Sequence, residues 1–147
     1  MKIFFRKVQR DFCKSLENEE NPMFKFQVDR WTRAEGGGGI TCVLQDGHTF
    51  EKAGVNISVV HGKIPPAAVA EMNSRGKKLP EGKEMPFFAC GISSVIHPKN
   101  PHVPTIHFNY RYFEVSNLLC TTSTAEFFFA FRGLIFVIGK FQLEINT

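Results

Sequence analysis

TIHFNYRYFEV, Thr105–Val115, alternates apolar and polar residues with a period of two, the repeat of a half-buried β-strand. Ile106, Phe108, Tyr110 and Tyr112 fall on one face, and His107, Asn109 and Arg111 on the other. The preceding run Phe87–His97, FFACGISSVIH, reads as a second strand, joined to the first by the proline-rich loop Pro98–Pro104. Upstream, Phe24, Phe26 and Val28 alternate with Lys25, Gln27 and Asp29, again a strand. Ile40–Leu44 and His48–Lys52 flank Asp46-Gly47, a pair that favours a hairpin, and Val55, Ile57 and Val59 continue the alternation.

Two stretches change period. Phe4, Phe5, Val8, Phe12 and Leu16 recur at helical spacing and predict a helix over residues 3–18, ending in Glu17–Pro22. Pro66 suits the first turn of a short helix over Ala67–Ser74, with Gly76 placed to stop it. Strands close in sequence with few helices between them predict an α+β fold, an antiparallel sheet flanked by helices. Neither an internal repeat nor a linker is visible.

The 147 residues suit one domain or part of one, and 43% hydrophobic with 22% charged residues argues against disorder and collagen-like repeats. A formal charge of +4 favours anionic partners without identifying them. Arg6, Lys7, Arg10 and Lys14 on the first helix could dock nucleic acid or a membrane surface, but read first as the solvated face of a packed helix. Cys13, Cys42, Cys90 and Cys120 form no CxxC pair, so structural zinc is not expected and the thiols read as reduced and mostly buried. The N-terminus leads straight into a charged amphipathic segment, with no secretory signal in it.

Chemistry concentrates on the polar side of Thr105–Val115. His107, Asn109 and Arg111 follow one another at roughly 6–7 Å along a strand and offer a titratable proton donor, an amide and a cationic fork. Such a row fits a large anionic ligand, since guanidinium pairs with carboxylate through two parallel bonds. The alternative is the solvent-facing side of an ordinary sheet. Ser93 and Ser94 lie mid-strand, where one hydroxyl could enter a pocket. His97, His102 and His107 span strand, loop and strand, poor spacing for a metal. The run Gly36–Gly39 lacks a phosphate-cradle pattern and suggests close backbone approach, to a ligand or to another strand. Arg30, Trp31 and Arg33 beside it could add charge and a flat aromatic surface, or simply pack in a loop.

Asp29–Gly62, DRWTRAEGGGGITCVLQDGHTFEKAGVNISVVHG, and Gly91–Val115, GISSVIHPKNPHVPTIHFNYRYFEV, together resemble the oxygen-dependent coproporphyrinogen III oxidases of haem biosynthesis. The resemblance covers roughly residues 8–115. It implies a homodimeric oxidoreductase with a large antiparallel sheet between helical layers. The implied reaction is oxidative decarboxylation of two propionates of coproporphyrinogen III to vinyl groups, giving protoporphyrinogen IX. O2 would be co-substrate, with neither metal nor organic cofactor. By motif, Ser93 resembles a substrate-contacting serine, His107 the proton donor, and Asn109, Tyr110 and Arg111 substrate-binding positions, with Arg111 holding a propionate. Tyr110 sits, by alternation, on the opposite face from its neighbours. Cys42, Val43, Leu44, Gln45, Asp46, Gly47, His48, Thr49, Phe50 and Glu51 resemble a stretch linked to dimerisation. Similarity to animal members implies the mitochondrial intermembrane space; bacterial and fungal members imply cytoplasm.

The expectation is a coproporphyrinogen-oxidase-like portion over residues 1–115 and a divergent apolar tail over 116–147. Phe127–Phe141 is apolar but interrupted by Arg132 and Lys140 and shorter than the roughly 20 residues of a spanning helix. Neither stable membrane insertion nor a nucleic-acid partner is expected. The tail's Phe and Ile content reads as an aggregation-prone strand. A truncated form is therefore expected, either a working oxidase or an impaired one that binds tetrapyrrole or pairs with the full-length enzyme.

Overall fold

The computed structural model describes residues 2–74, 79–80, 82–115, 120–131 and 134–145, with side chains from residue 3 to 115 within those ranges. Seven antiparallel strands follow chain order in one sheet: β1 (Gln27–Thr32), β2 (Gly37–Gln45), β3 (Phe50–Ile64), β4 (Met85–Pro98), β5 (Thr105–Val115), β6 (Cys120–Phe131) and β7 (Leu134–Ile145). The tail thus runs as two strands beside β5. Gly76 lies outside the described residues.

Helix α1 (Lys2–Asn18) crosses one face of the sheet, against β3 and β4. Its buried stripe is Phe5, Gln9, Cys13 and Leu16, with Val8 and Phe12 alongside. Facing it are Cys42, Leu44, Ala53, Val55, Ile57, Cys90, Ile92 and Ile96, every second residue of their strands. The predicted stripe holds except at its start. Phe4 is 60% exposed, because Phe5 takes the inward position one residue later at 1%. Gln9 interrupts the apolar stripe for a reason: its Nε2 donates to the carbonyls of Ile40 (2.9 Å) and Val55 (2.8 Å), tying helix to sheet. The cationic side is solvated, and there Lys7 and Arg10 both reach Asp11 at 3.0 Å.

Helix α2 (Pro66–Ser74) packs on the opposite face, at one end. Val69 joins Ile64, Leu79, Met85 and Val115 in a second, smaller core, with Phe87 and Phe113 against it. Pro66 occupies the first turn as expected, where a missing N–H costs nothing. The Pro65 carbonyl accepts from Ala68 and Val69.

Two sequence expectations shift. The first strand begins at Gln27, not Phe24: Phe24 and Phe26 pack on the main core from the connection before it, and Val28 is 56% exposed on an edge strand. The β2–β3 turn spans Asp46–Thr49 rather than the dipeptide alone. The cause is Glu20, whose carboxylate accepts the backbone N–H groups of His48 (2.9 Å), Thr49 (2.9 Å) and Phe50 (2.6 Å) and so draws the turn open.

Candidate active site

Because side chains alternate across a sheet, the register of the strands decides which residues share the face away from α1. Asn109 lies opposite Ser93, Ser93 opposite Asn56, and Asn56 opposite Thr41. One polar row therefore crosses four strands. The row on one side runs His107, Val95, Gly54; the row on the other runs Arg111, Gly91, Ser58, Gly39, Trp31. His107, Asn109, Arg111 and Ser93 are brought together on this face, with Arg111 exposed and the others half-buried.

Tyr110 is not brought to them. Its ring meets Phe5 of α1 edge-on at a centroid distance of 5.9 Å, on the opposite side of the sheet. Of the serine pair, Ser93 faces the polar row, whereas Ser94 turns into the α1 core with its Oγ unpartnered among the described residues. His97 Nδ1 contacts Thr105 Oγ1 at 3.3 Å, and among the described residues no three His, Cys, Asp or Glu side chains gather as metal ligands.

The floor between the rows is flat because it is small. A Cβ on Gly91 would stand 2.8 Å from the Tyr110 carbonyl, and one on Gly39 would stand 2.4 Å from the Trp31 ring, which lies over it. Trp31 Nε1 donates to Thr41 Oγ1 at 3.2 Å, fixing that ring as one rim of the surface. At the β1–β2 turn Gly37 has φ +92°, and a Cβ there would meet the Val59 carbonyl at 2.3 Å. The glycine run thus serves close approach of strand to strand, one of its two expected uses.

The segment Cys42–Glu51 forms the end of the β2–β3 hairpin. Cys42 and Leu44 are core, while Gln45, Asp46, His48, Thr49 and Glu51 are exposed at the tip. Glu20 braces it from below. Burial alone would raise the Glu20 carboxyl; the N–H groups of Phe50, His48, Thr49 and Asn21 outweigh that and hold it below the ordinary carboxylate value.

Two cavities, of about 350 and 520 Å³, open on the α1 face between the helix and β1–β2; Arg6, Arg30 and Ile40 line both, and none of His107, Asn109 or Arg111 lines either. Cys13 and Cys42 meet beside the larger one as free thiols, both pushed up by burial. Thr41, Asn56, Ser93 and Asn109 line neither cavity, whereas Gly39 and Trp31 of the adjoining row line the smaller one.

Comparison with known proteins bears on the same strands. The family model described as Coproporphyrinogen III oxidase matches residues 1–133. The chain belongs to the coproporphyrinogen III oxidase family. It is 70% identical over 115 residues to the oxygen-dependent coproporphyrinogen-III oxidase of Drosophila melanogaster, covering 78% of this chain and 30% of that one. The mitochondrial enzyme of Homo sapiens is 59% identical over 117 residues, covering 78% and 25%. A chloroplastic coproporphyrinogen-III oxidase of Arabidopsis thaliana is 53% identical over 109 residues, covering 74% and 28%. The chain spans under a third of the length of these family members. The family-model match over residues 1–133 includes β6, while the matches to the individual relatives cover 109–117 residues.

Asn56, Ser58 and Thr41 escaped the sequence reading. The signal was present, since the alternation of Val55, Ile57 and Val59 already put Asn56 and Ser58 on the other face. What the sequence lacked was the register that sets Asn56 against Ser93.

Proposed function

We propose that this chain acts in the oxidative decarboxylation of coproporphyrinogen III, with the polar face of the sheet as its tetrapyrrole site. For each propionate the balance is simple: the side-chain acid and one O2 give a vinyl group, CO2 and H2O2. Two electrons pass from the substrate to oxygen. The protein's part is then positioning and proton handling. Arg111 pairs with a propionate carboxylate, a contact between charged groups that contributes about 1.5–3 kcal/mol. His107, four residues back along the strand from Arg111, moves a proton at the reacting edge. Asn109 and Ser93 supply hydrogen bonds across the row between them. Tyr110 stands outside this set because its ring belongs to the α1 packing. The observation that carries the reading is the alignment of Ser93, His107, Asn109 and Arg111 on one flat, glycine-floored face.

The relatives' names support O2 as co-substrate, and no organic cofactor or metal is invoked. The mammalian names support a mitochondrial setting, finer than which we take the intermembrane space, with cytoplasm as the alternative. The exposed tip of the β2–β3 hairpin is assigned to a homodimer contact. A second reading follows from the share of the relatives that this chain spans. It binds the tetrapyrrole without efficient turnover and pairs with a longer chain through that hairpin.

Incubating the purified chain with coproporphyrinogen III in air, then following vinyl porphyrin by fluorescence and chromatography, tests both. Product that disappears in Arg111→Ala supports the first reading. Binding without product supports the second. Neither binding nor product overturns both.

A further inference from the structure

Helix α1 covers only part of its face of the sheet. It packs against β3 and β4, and beside it β1 and β2 carry Val28, Arg30, Ile40 and Cys42 on the same side, Val28 opposite Cys42 and Arg30 opposite Ile40. The cavity of about 520 Å³ is the slot left between the helix and these strands. Its helical wall runs from Arg6 to Glu17, about 16 Å of helix, and the smaller cavity meets it at Arg6, Arg30 and Ile40.

Floor and walls differ in kind. The floor is apolar, made by Phe26, Val28, Ile40 and Cys42, and Val28 is 56% exposed. Cations stand around it. Arg6, Arg10 and Lys14 follow one another about one turn apart on α1, and Arg30 lines the slot from β1. Arg10 reaches Asp11, but Arg6, Lys14 and Arg30 have no ion pair among the described residues. The lining's one carboxylate, Glu17, is already engaged: it accepts the Phe26 N–H at 2.9 Å and pairs with Lys25 at 3.3 Å.

That pattern selects an occupant. A ligand with a single anionic head engages one cation and leaves the rest unused. Carboxylates repeated turn by turn along an α-helix match the row of Arg6, Arg10 and Lys14, and the apolar side of such a helix fits the floor. Neighbouring helices pack about 8–10 Å apart, so a second helix in the slot extends the layer that α1 begins. A second copy of this chain does not supply it. Its α1 shows Arg6, Lys7, Arg10 and Lys14 to solvent, and Glu71 is the only carboxylate of α2.

We propose that the slot between α1 and the β1–β2 edge docks an acidic amphipathic helix of a partner chain. Its carboxylates lie against Arg6, Arg10, Lys14 and Arg30, and its apolar side rests on Val28 and Ile40. Ser93, His107, Asn109 and Arg111 line neither cavity, and the proposal does not depend on the tetrapyrrole reading.

The test uses the full chain and a labelled designed peptide of about four turns, with leucines along one side and glutamates flanking them turn by turn. Binding is read from anisotropy and from the emission of Trp31, the single tryptophan, which lines the smaller cavity. Three probes are compared with it: the same peptide with lysine for glutamate, a scrambled peptide of the same composition, and a single-stranded oligonucleotide. The acidic amphipathic peptide is expected to bind at least about tenfold tighter than each of them at about 0.15 M salt. Arg6→Glu, Arg10→Glu and Lys14→Glu combined should cost it at least about tenfold and confer binding of the lysine peptide. Arg30→Glu, on the opposite wall, should weaken it severalfold and keeps the test decisive should the triple variant not fold. Lys7→Glu, outside the lining, should stay within about twofold. All five side chains are exposed, so the thermal melts should match the parent. Equal binding of the scrambled peptide, or tighter binding of the oligonucleotide, would mean a general polyanion surface and overturn the proposal. Parent-like binding in the triple variant or in Arg30→Glu, or a parent chain that binds no peptide, would also overturn it.

Discussion

The two faces of the sheet are made from alternate residues of the same strands, yet they are finished differently. The α1 face is mostly apolar: Phe5, Leu44, Val55 and Ile92 fill it, Gln9 from the helix is satisfied twice, and Ser94 Oγ is buried there without a partner among the described residues. Among the described residues the other face holds a compact core only at the α2 end. Elsewhere it carries serine, asparagine, histidine, arginine and glycine in register. The difference teaches that stability and recognition have been divided between faces. A substitution should therefore show which face it sits on by what it damages.

The largest effect should come from the closed face. Phe5→Ala removes a ring that is 1% exposed, and large aromatic truncations in cores cost about 3–5 kcal/mol, to be read from the urea unfolding midpoint. A loss near zero would mean that α1 does not hold the sheet. Arg111→Ala in the same assay should leave stability unchanged.

Next comes Glu20→Gln, which keeps the shape but exchanges charge-assisted bonds for neutral ones. Hydrogen bonds to charged groups are worth about 1.5–3 kcal/mol, so a loss at or somewhat below that range is expected at pH 7. The pH dependence follows from the sign of the shift. The folded carboxyl lies below its ordinary value of 4.5, so its stabilisation is present above that pH and is lost as pH falls through the folded value. Acid unfolding of the parent should accordingly be steeper below pH 4.5 than that of Glu20→Gln. Parallel profiles would contradict the role given to Glu20.

Gly54→Ala separates the faces by opposite signs. A methyl there meets nothing closer than 3.8 Å, and replacing a strand-interior glycine by alanine gains about 0.5–1 kcal/mol. The same methyl roughens the floor beside Asn56. A higher melting temperature with severalfold weaker coproporphyrinogen binding is expected; stronger binding would argue against a flat ligand on this face. The smallest effect should be Asp11→Asn, which opens only an exposed pair with Lys7 and Arg10 and should leave the thermal melt unchanged.

Much of this division was legible in the sequence. The period of two in Thr105–Val115 separated Tyr110 from His107, Asn109 and Arg111, and the structure keeps them apart. The helical repeat of Phe5, Val8, Phe12 and Leu16 named the face of α1 that is buried. Periodicity is local, however, and three features depend on distant partners. Gln9 breaks its own stripe because two strand carbonyls await it. The Asp46–Gly47 turn lengthens because Glu20, far back in the chain, gathers its N–H groups. Asn56 belongs to the site only through a register that no single strand encodes. The cavities were also unforeseen, since they arise where α1 leaves β1 and β2 uncovered.

Both faces carry guanidinium groups, and this allows one decisive comparison. Arg111 stands on the polar face, and Arg30 lines both cavities on the α1 face. Anaerobic titration of coproporphyrinogen III into the parent, Arg111→Ala and Arg30→Ala chains weighs one face against the other. At least a tenfold loss in Arg111→Ala with Arg30→Ala indistinguishable from the parent is the predicted result. Loss confined to Arg30→Ala would put the tetrapyrrole beside α1 and contradict the assignment of the polar face.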